Sequence, residues 1–487
     1  MRRSTVITAL LLAGCTVGPN YQRPVTAVPP TFAEKTAPAA NTDAYLASWW
    51  GSFGDPELDK LVSRAIANNL DVETAAARIR EARALEIVAG AAALPQVNAQ
   101  GSASRQRISE NAIPVPPGSG AGGGGSGAPG AFGLPGSEFS TFRVGFDASW
   151  EIDLFGKTRR SIEAAGARTG TAIWNLRDVQ VSVAAEVTDS YLSLRTAQQR
   201  TATAETEVAR QQRSLRLVEA RARGGLVTGQ DLAEQQSQLA TAQAAIPPLE
   251  AQAETQVHAL GVLTGDAPEV LIAELSPSSV MPSPPTVPAG LPSDLLRRRP
   301  DIRAAEQGLH AATADIGVAT ADLYPRFSLS ALPALVSTTL AKLLEWGSRS
   351  YTASANIDWP IFNGGRTRAN IKVANARQEQ ALIAYRKSIL TALRDVEDAL
   401  SNVDNDGRQI ASLDAARGTA VRAEDIARTR YRGGLVTYSD VLQAQASRIS
   451  LDTQLIQARG ALNHDTVALF KALGGGWPDL ARGGAQQ

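Results

Sequence analysis

The chain contains one turn motif twice, and this internal repeat determines how the whole sequence is organised. ARARGGLVTG at residues 220–229 returns as TRYRGGLVTY at residues 429–438, an offset of 209 residues. The same offset relates Trp150 to Trp359, whereas further upstream the two halves match at an offset of 230. Self-similarity of this kind indicates one structural unit used twice, so a count of ordinary globular domains does not apply.

The residues that lengthen the first half lie in a glycine-rich insert at 116–136, PPGSGAGGGGSGAPGAFGLPG. This composition predicts a flexible loop. A phosphate-binding loop would need Gly-x4-Gly-Lys-Ser/Thr, and the Gly-Lys-Thr that begins at Gly156 has Glu151 where the first glycine belongs. Nucleotide binding is therefore not expected.

Charge balance and rare residue types narrow the function further. Lysine plus arginine equal aspartate plus glutamate, 48 each, so no net field attracts nucleic acid. The three histidines, His258, His310 and His464, lie far apart and have no nucleophile motif beside them. A single cysteine excludes internal disulfides and thiolate metal clusters. We expect neither an enzyme nor a bound cofactor or metal.

The N-terminus has the pattern of an export signal that ends at the single cysteine. Arg2 and Arg3 precede a short apolar run, and Leu-Ala-Gly leads into Cys15. This pattern predicts a signal peptide over residues 1–14, cleavage before Cys15 and acylation of Cys15, an anchor that does not span the membrane. The alternative is a secretory signal with an unmodified cysteine.

Two segments alternate between apolar and polar residues and are long enough to cross a bilayer as strands. Residues 142–154 alternate without interruption, and residues 351–361 do so in the second half. Weaker segments, 97–108 and 327–332, precede them, which gives two hairpins. After the N-terminus no run of 18 apolar residues occurs, so a bilayer would be crossed by strands. A half-buried sheet in a soluble domain is the alternative.

The number of predicted strands indicates an oligomer. Four strands cannot close on themselves, and an open edge in hydrocarbon would leave backbone groups unpaired at a cost of several kcal/mol each. Two copies would give eight strands, a barrel filled by its own side chains, whereas three copies give twelve and leave a lumen. We expect a homotrimer.

The longest uninterrupted segments predict helices far longer than those of a globular domain. Residues 157–223 and 366–432 contain no proline, and apolar residues recur there every three, four and seven positions. Each segment would form one helix about 100 Å long at about 1.5 Å per residue. Return helices at 230–263 and 439–473 follow, the first with a break at its Pro-Pro pair. On periodicity alone, a solvated coiled-coil rod is the alternative.

Several longer motifs resemble one known family. They are WEIDLFGK (150–157), VPAGLPSDLLRRRPDI (287–302), YPRFSLS (324–330), YRGGLVTYSDVLQAQ (431–445) and KALGGGW (471–477). Together they resemble the lipidated outer membrane factors of the TolC superfamily, the exit ducts of resistance-nodulation-division efflux pumps. The resemblance runs from Cys15 to about Trp477. It implies a trimer with a twelve-stranded β-barrel, continued by a long periplasmic α-helical barrel, so the fold class is mainly α with transmembrane β.

The patterns and the resemblance together predict the order of segments along the chain. This order is a signal peptide (1–14), an N-terminal arm and equatorial segment (15–70), a first repeat (71–265), an equatorial linker (266–300), a second repeat (301–475) and a C-terminal tail (476–487). Each repeat would contain a helix, a β-hairpin at about 96–155 or 326–362, the long helix, a tip turn at 224–229 or 433–437 and the return helix.

The resemblance also assigns a role to the two tip turns, which would contact the periplasmic adaptor of the pump. The residues concerned are Gly224, Gly225, Leu226, Val227 and Thr228 in the first turn and Gly433, Gly434, Leu435, Val436 and Thr437 in the second. The alternative is that the glycines merely end helices. That alternative explains the glycines but not why leucine, valine and threonine recur as well.

The same resemblance places a periplasmic gate next to the tips. Asp440 would form an acidic ring around the aperture, Asp231 and Tyr431 would tie neighbouring hairpins together, and Arg432 would be a charge partner. Gln443 occupies the position where many members carry a second acidic ring. Simple capping of the return helices by the two aspartates is the alternative.

The sequence therefore predicts an outer membrane exit duct in a Gram-negative bacterium, which conducts drugs or other small solutes passively. Its partners would be further copies of itself, outer membrane lipids, the periplasmic adaptor and an inner-membrane resistance-nodulation-division transporter. A structural envelope lipoprotein and a secretion duct are the alternatives. Metal-ion cargo is disfavoured, because Met1 and Met281 alone could supply thioether ligands.

Overall fold

The computed structural model describes residues 16–33, 42–107, 109, 138–225, 227–276, 280–288, 290 and 292–477. Cys15, Leu226 and the glycine-rich insert, on which the sequence makes predictions, lie outside these residues.

Helices make up most of the described chain. They are α1 Thr42–Ala47, α2 Pro56–Asn68, α3 Leu70–Ala91, α4 Lys157–Arg223, α5 Gly229–Ala244, α6 Ile246–Thr264, α7 Pro268–Leu275, α8 Pro292–Arg298, α9 Pro300–Ala321, α10 Arg366–Arg432 and α11 Tyr438–Ala472. Both long helices, α4 and α10, contain 67 residues. Within the described ranges, no helix is both long enough and apolar enough to cross a membrane.

The described strands form one antiparallel sheet. They are β1 Gln96–Arg107, β2 Glu138–Ile152, β3 Arg326–Ala331, β4 Ala334–Ser337, β5 Arg349–Ser350 and β6 Ala353–Asp358. In the β1–β2 hairpin, Gln96 lies opposite Ser149 and Arg107 lies opposite Glu138. β3 and β4 pair with the other edge of β2, β6 pairs with β3, and β5 pairs with β4. Among the described strands, β1 therefore forms one edge of the sheet, and β5 and β6 form the other.

The second hairpin is more interrupted than its sequence pattern predicts. Alternation over residues 351–361 predicts one strand, but β6 covers only Ala353–Asp358. Pro333 separates β3 from β4, and Pro360 follows the end of β6. Proline has no N–H to donate to the ladder, so strands end beside it. The Pro333 carbonyl still accepts a hydrogen bond from the Phe146 N–H at 2.9 Å, which keeps β2 paired across the gap.

The first return segment is two helices rather than one. α5 and α6 meet at Ala245, immediately before Pro247 and Pro248. In the first turn of α6 a proline leaves no backbone donor unpaired, whereas inside one long helix it would remove a hydrogen bond and clash with the preceding turn. The second half has no proline at the equivalent positions, and α11 runs without a break.

The sheet belongs to one of two compact units, which comprises the described parts of residues 1–22, 83–167 and 310–380. Its two repeated tryptophans make equivalent hydrogen bonds. Trp150 Nε1 donates to the Ala93 carbonyl at 3.0 Å, and Trp359 Nε1 donates to the Leu323 carbonyl at 3.1 Å. Each indole ties the end of a hairpin to the residues just after the preceding helix, which accounts for tryptophan at both positions.

The other unit contains the main hydrophobic core and comprises the described parts of residues 23–82, 168–309 and 381–487. Trp49, in a short 3-10 helix, is fully buried and stacks on Phe470 of α11, with ring centroids 4.6 Å apart. Trp477 packs edge-on against Trp174 of α4 at 5.7 Å. The N-terminal arm and the chain's last described residues thus share one core with the long helices.

Candidate functional site

Each long helix ends in a glycine turn that reverses the chain. Gly225 and Gly434 have φ values of +66° and +70°, a left-handed conformation that side chains other than glycine rarely adopt. After α10 the Leu435 N–H donates to the Arg430 carbonyl at 2.9 Å and the Gly434 N–H donates to the Tyr431 carbonyl at 3.0 Å. These bonds satisfy carbonyls that the end of a helix leaves unpaired. Local backbone geometry therefore explains the second glycine of each turn.

Both return helices begin with a capping box, so the aspartates have the capping role that was the alternative to a gate. The N-caps are Thr228 and Thr437, and Asp231 and Asp440 occupy the third helical position. The Asp440 carboxylate accepts hydrogen bonds from the Thr437 N–H at 2.8 Å and from Thr437 Oγ1 at 2.6 Å. These bonds lower the pKa of Asp440, which keeps the exposed carboxylate ionised.

A small aromatic cluster joins the two halves just behind the turns. Tyr438 and Val441 of α11 are buried together with Val218 of α4. The rings of Tyr431 and Tyr438 lie 5.2 Å apart, and the Arg221 guanidinium lies 4.9 Å from the Tyr431 ring centroid. Tyr431 therefore links α10 to α4 by a cation–π contact and to α11 by ring packing.

A chain of hydrogen bonds runs from this cluster into the helix bundle. The Tyr438 hydroxyl is 2.6 Å from Ser214 Oγ and donates to Gln235 Oε1. Gln235 Nε2 in turn donates to Gln211 Oε1 at 2.7 Å. Burial raises the pKa of Tyr438, so the phenol stays protonated and able to donate. These buried polar groups fix α5 and α11 against α4.

Beyond that chain lies a buried charge cluster centred on one arginine, which we call the Arg448 cluster. Arg448 Nε donates to Glu424 at 2.5 Å, Arg448 Nη2 donates to Glu207 at 3.1 Å, and Arg448 Nη1 donates to Asp452. The side chains of Arg448, Glu207 and Glu424 are at most 10% exposed. Burial raises the pKa of Glu207 despite the opposing effect of Arg210. The cluster holds α4, α10 and α11 together through charge.

Of the other predicted site residues, Val227 is partly buried against the aromatic cluster behind the turns, whereas three lie on the surface of the tip region. Leu435 is 77% exposed, and Gln443 is exposed one turn after Asp440. Arg432 is exposed as well, and among the described ion pairs of the chain none joins it to Asp231 or Asp440. Within one copy, the aspartates are thus engaged by capping, whereas Arg432 and Leu435 face outward.

Sequence reasoning missed the residues that bind the two halves together. Tyr438 and Arg448 occupy positions where the first half has Gly229 and Leu239 at the 209-residue offset. Gln235 likewise corresponds to Ala444. A comparison of the halves for positions where they differ, rather than where they agree, would have pointed to these side chains. Among the described residues, no group of histidine, cysteine or acidic side chains could hold a metal ion.

Comparison with known proteins identifies the class to which this fold belongs. The Outer membrane efflux protein family matches residues 61–266 and 291–475, which include most of both repeats. The chain is therefore a member of the Outer membrane efflux protein family. It is a channel component of an efflux system in the Gram-negative outer membrane, with a periplasmic extension and no enzymatic role.

Relatives and solved structures resemble the chain over nearly its full length. The pyoverdine export outer membrane protein OpmQ of Pseudomonas aeruginosa is 34% identical, over 100% of this chain and 99% of OpmQ. The cation efflux system protein CusC of Escherichia coli is 31% identical, over 96% of this chain and 97% of CusC. The structure of the outer-membrane channel OprN has a TM-score of 0.83 at 33% identity, over 95% of this chain and 100% of OprN.

Proposed function

We propose that three copies of the chain form one duct through the outer membrane, with a twelve-stranded barrel closed by strands from all three. Each copy would contribute four of them, because β3 with β4, and β5 with β6, each count as one interrupted strand along β2 and along each other. The open sheet of one copy is the observation that carries this proposal. β1 pairs only with β2, and β6 pairs only with β3, among the described strands. Unpaired edges of this kind are not tolerated in hydrocarbon, and neighbouring copies would pair with them.

A lipid on Cys15 is the proposed anchor of the duct. The residues directly after Cys15 are fixed beside the sheet, in the same compact unit. The Val17 N–H donates to the Phe155 carbonyl at 3.1 Å, and Arg160 Nη2 donates to Asn20 Oδ1 at 2.6 Å. An acyl chain on Cys15 would therefore start close to the end of β2, where the proposed barrel meets the long helices.

The proposed partners at the tips are a periplasmic adaptor and, through it, a resistance-nodulation-division transporter that supplies the energy. The outward-facing leucine of the second turn supports an apolar contact there. We propose drugs or other small organic solutes as cargo. The toluene efflux pump outer membrane protein TtgF of Pseudomonas putida is 31% identical over 98% of this chain, which is compatible with organic cargo.

Asp440 is the residue proposed to narrow the aperture at the tips. Its carboxylate is exposed and ionised, and three copies would bring three such charges around one axis. Because the same carboxylate caps α11, a test must separate charge from capping. Asparagine offers a suitable control, since its amide oxygen still accepts a hydrogen bond from the Thr437 N–H but has no charge.

Asp440→Ala and Asp440→Asn are both expected to raise influx of a large antibiotic severalfold in intact cells. The physical reason is the loss of the charged ring that is proposed to hold the aperture narrow. Uptake of a fluorescent antibiotic, at equal amounts of channel, measures the effect. If influx rises in Asp440→Ala alone, the residue acts through capping. If influx rises in neither variant, Asp440 does not help to close the aperture.

A further inference from the structure

A groove rich in arginine lies beside the tip turns, between α4, α10 and α11. Its volume is about 320 Å³, and no carboxylate is found among its described lining residues. The guanidinium groups that line it belong to Arg210, Arg213, Arg221, Arg428 and Arg432. We propose that this groove binds a small oxyanion with several oxygens, such as phosphate or a tricarboxylate.

The positive charge in the groove exceeds what the chain itself neutralises. Arg428 is paired with Glu424 at 2.6 Å, and Arg210 lies 3.4 Å from Glu207. Arg221 lies over the face of the Tyr431 ring and not beside a carboxylate. Arg213 and Arg432 take part in no ion pair with any described residue. Both side chains are exposed, and since like charges close together repel, a bound anion would lower the repulsion among the arginines of the groove.

The floor of the groove contains polar atoms that need a partner. Gln445 is only 3% exposed, and its Oε1 atom has no hydrogen-bond partner among the described residues. The hydroxyl of Tyr431 is likewise buried without a partner in the described chain. Most buried polar groups are hydrogen-bonded, so such atoms point to a missing ligand. Turning the Gln445 amide would present its N–H₂ group, and an oxyanion could then accept from Gln445 and Tyr431.

The size and position of the groove define the ligand and its effect. Its volume is at the lower end of the range for small-molecule sites, about 300–1,000 Å³, so the ligand is a small oxyanion rather than a peptide. Arg213 and Arg221 belong to α4, whereas Arg428 and Arg432 belong to α10. A bound anion would therefore bridge the long helices of the two repeats directly behind the turns. This inference goes beyond the proposed duct and does not depend on it.

Titration calorimetry of the purified full chain in detergent tests the site, with inorganic phosphate and citrate as probes. Chloride keeps the ionic strength constant, since exposed charges are screened by salt. Saturable binding is expected for at least one probe. The double variant Arg213→Gln/Arg432→Gln is expected to bind it at least about tenfold more weakly, because two charge-assisted hydrogen bonds are lost. Neither arginine has an ion pair within the described chain, so the variant should fold.

The matched control is Arg216→Gln/Arg430→Gln, which removes two exposed arginines from the same helices but outside the groove. It should leave the affinity within about twofold. Gln445→Leu removes the buried amide at constant charge and should weaken binding as well. An equal loss of affinity in the two arginine double variants would show that the probe is attracted by net charge and does not bind at this groove. Failure of the native chain to bind either probe, as when a neighbouring copy's carboxylate fills the groove, would also overturn the proposal.

Discussion

Replacing Leu435 by glutamate is expected to abolish efflux while the protein remains assembled in the outer membrane. Leu435 is 77% exposed after α10, so the substitution removes little packing within the chain. A carboxylate there would be buried without a partner in the proposed adaptor contact, at a cost of several kcal/mol. Drug resistance should fall to that of cells without the channel, and immunoblots of outer membranes would show unchanged amounts of protein.

Ile426→Glu provides the matched control for this experiment. Ile426 is also an exposed apolar residue of α10, 55% exposed, but it lies before the end of the helix and outside the turn. Efflux should persist in this variant. Full efflux in Leu435→Glu, at normal membrane levels, would remove the second tip turn from the adaptor contact.

Arg448→Met is expected to destabilise the helical unit by about 1.5–3 kcal/mol, because Glu207 and Glu424 each lose a buried charge-assisted hydrogen bond, although Arg210 and Arg428 remain beside them. Glu207 and Glu424 both contact Arg448 and are nearly inaccessible to solvent. Methionine fills a similar volume, so the loss reports charge rather than an empty cavity. Denaturant unfolding followed by the helical circular dichroism signal measures the change.

Two further variants distinguish the stability lost at the Arg448 cluster from a general effect of removing an arginine. Arg422→Met changes an exposed arginine of α10 and should shift stability by less than about 0.5 kcal/mol. The neutral triple variant Arg448→Met/Glu207→Gln/Glu424→Gln should recover much of the lost stability, since no buried charge is left unpaired. If Arg448→Met alone is as stable as the native chain, the Arg448 cluster contributes no net stability.

The long elements could be predicted from sequence because a local signal defines each of them. Segments without proline and with helical spacing of apolar residues predict helices at 157–223 and 366–432, and the structure has α4 and α10 there. Alternation predicts β2, and the Pro-Pro pair predicts the separation of α5 from α6. In each case the residues that form the pattern lie within the predicted element or a few positions from it.

The second hairpin and the buried contacts could not be predicted in the same way. Alternation of side chains does not show which backbone groups pair, so the interruption at Pro333 between β3 and β4 was not evident. The Arg448 cluster joins residues more than 200 positions apart, and no local pattern marks them. Apolar spacing identifies the faces of helices that pack, but not which polar side chains meet across them.

The tips illustrate why a motif repeated within one chain can have two physical explanations. The second glycine and the threonine of each RGGLVT motif are explained by the left-handed turn and the capping box, without any partner. The exposed Leu435 has no such local explanation. Leu435 is therefore the residue that supports an adaptor contact. The second glycine and the threonine have a structural role within the turn itself.

The proposed duct depends on the number of copies in one complex, because the described strands of a single copy are too few to close a barrel. Native mass spectrometry of the purified protein, released from a mild detergent, counts the copies. We expect complexes of three chains and little free monomer. A protein that stays monomeric under these conditions, or that forms dimers only, would contradict the proposed duct.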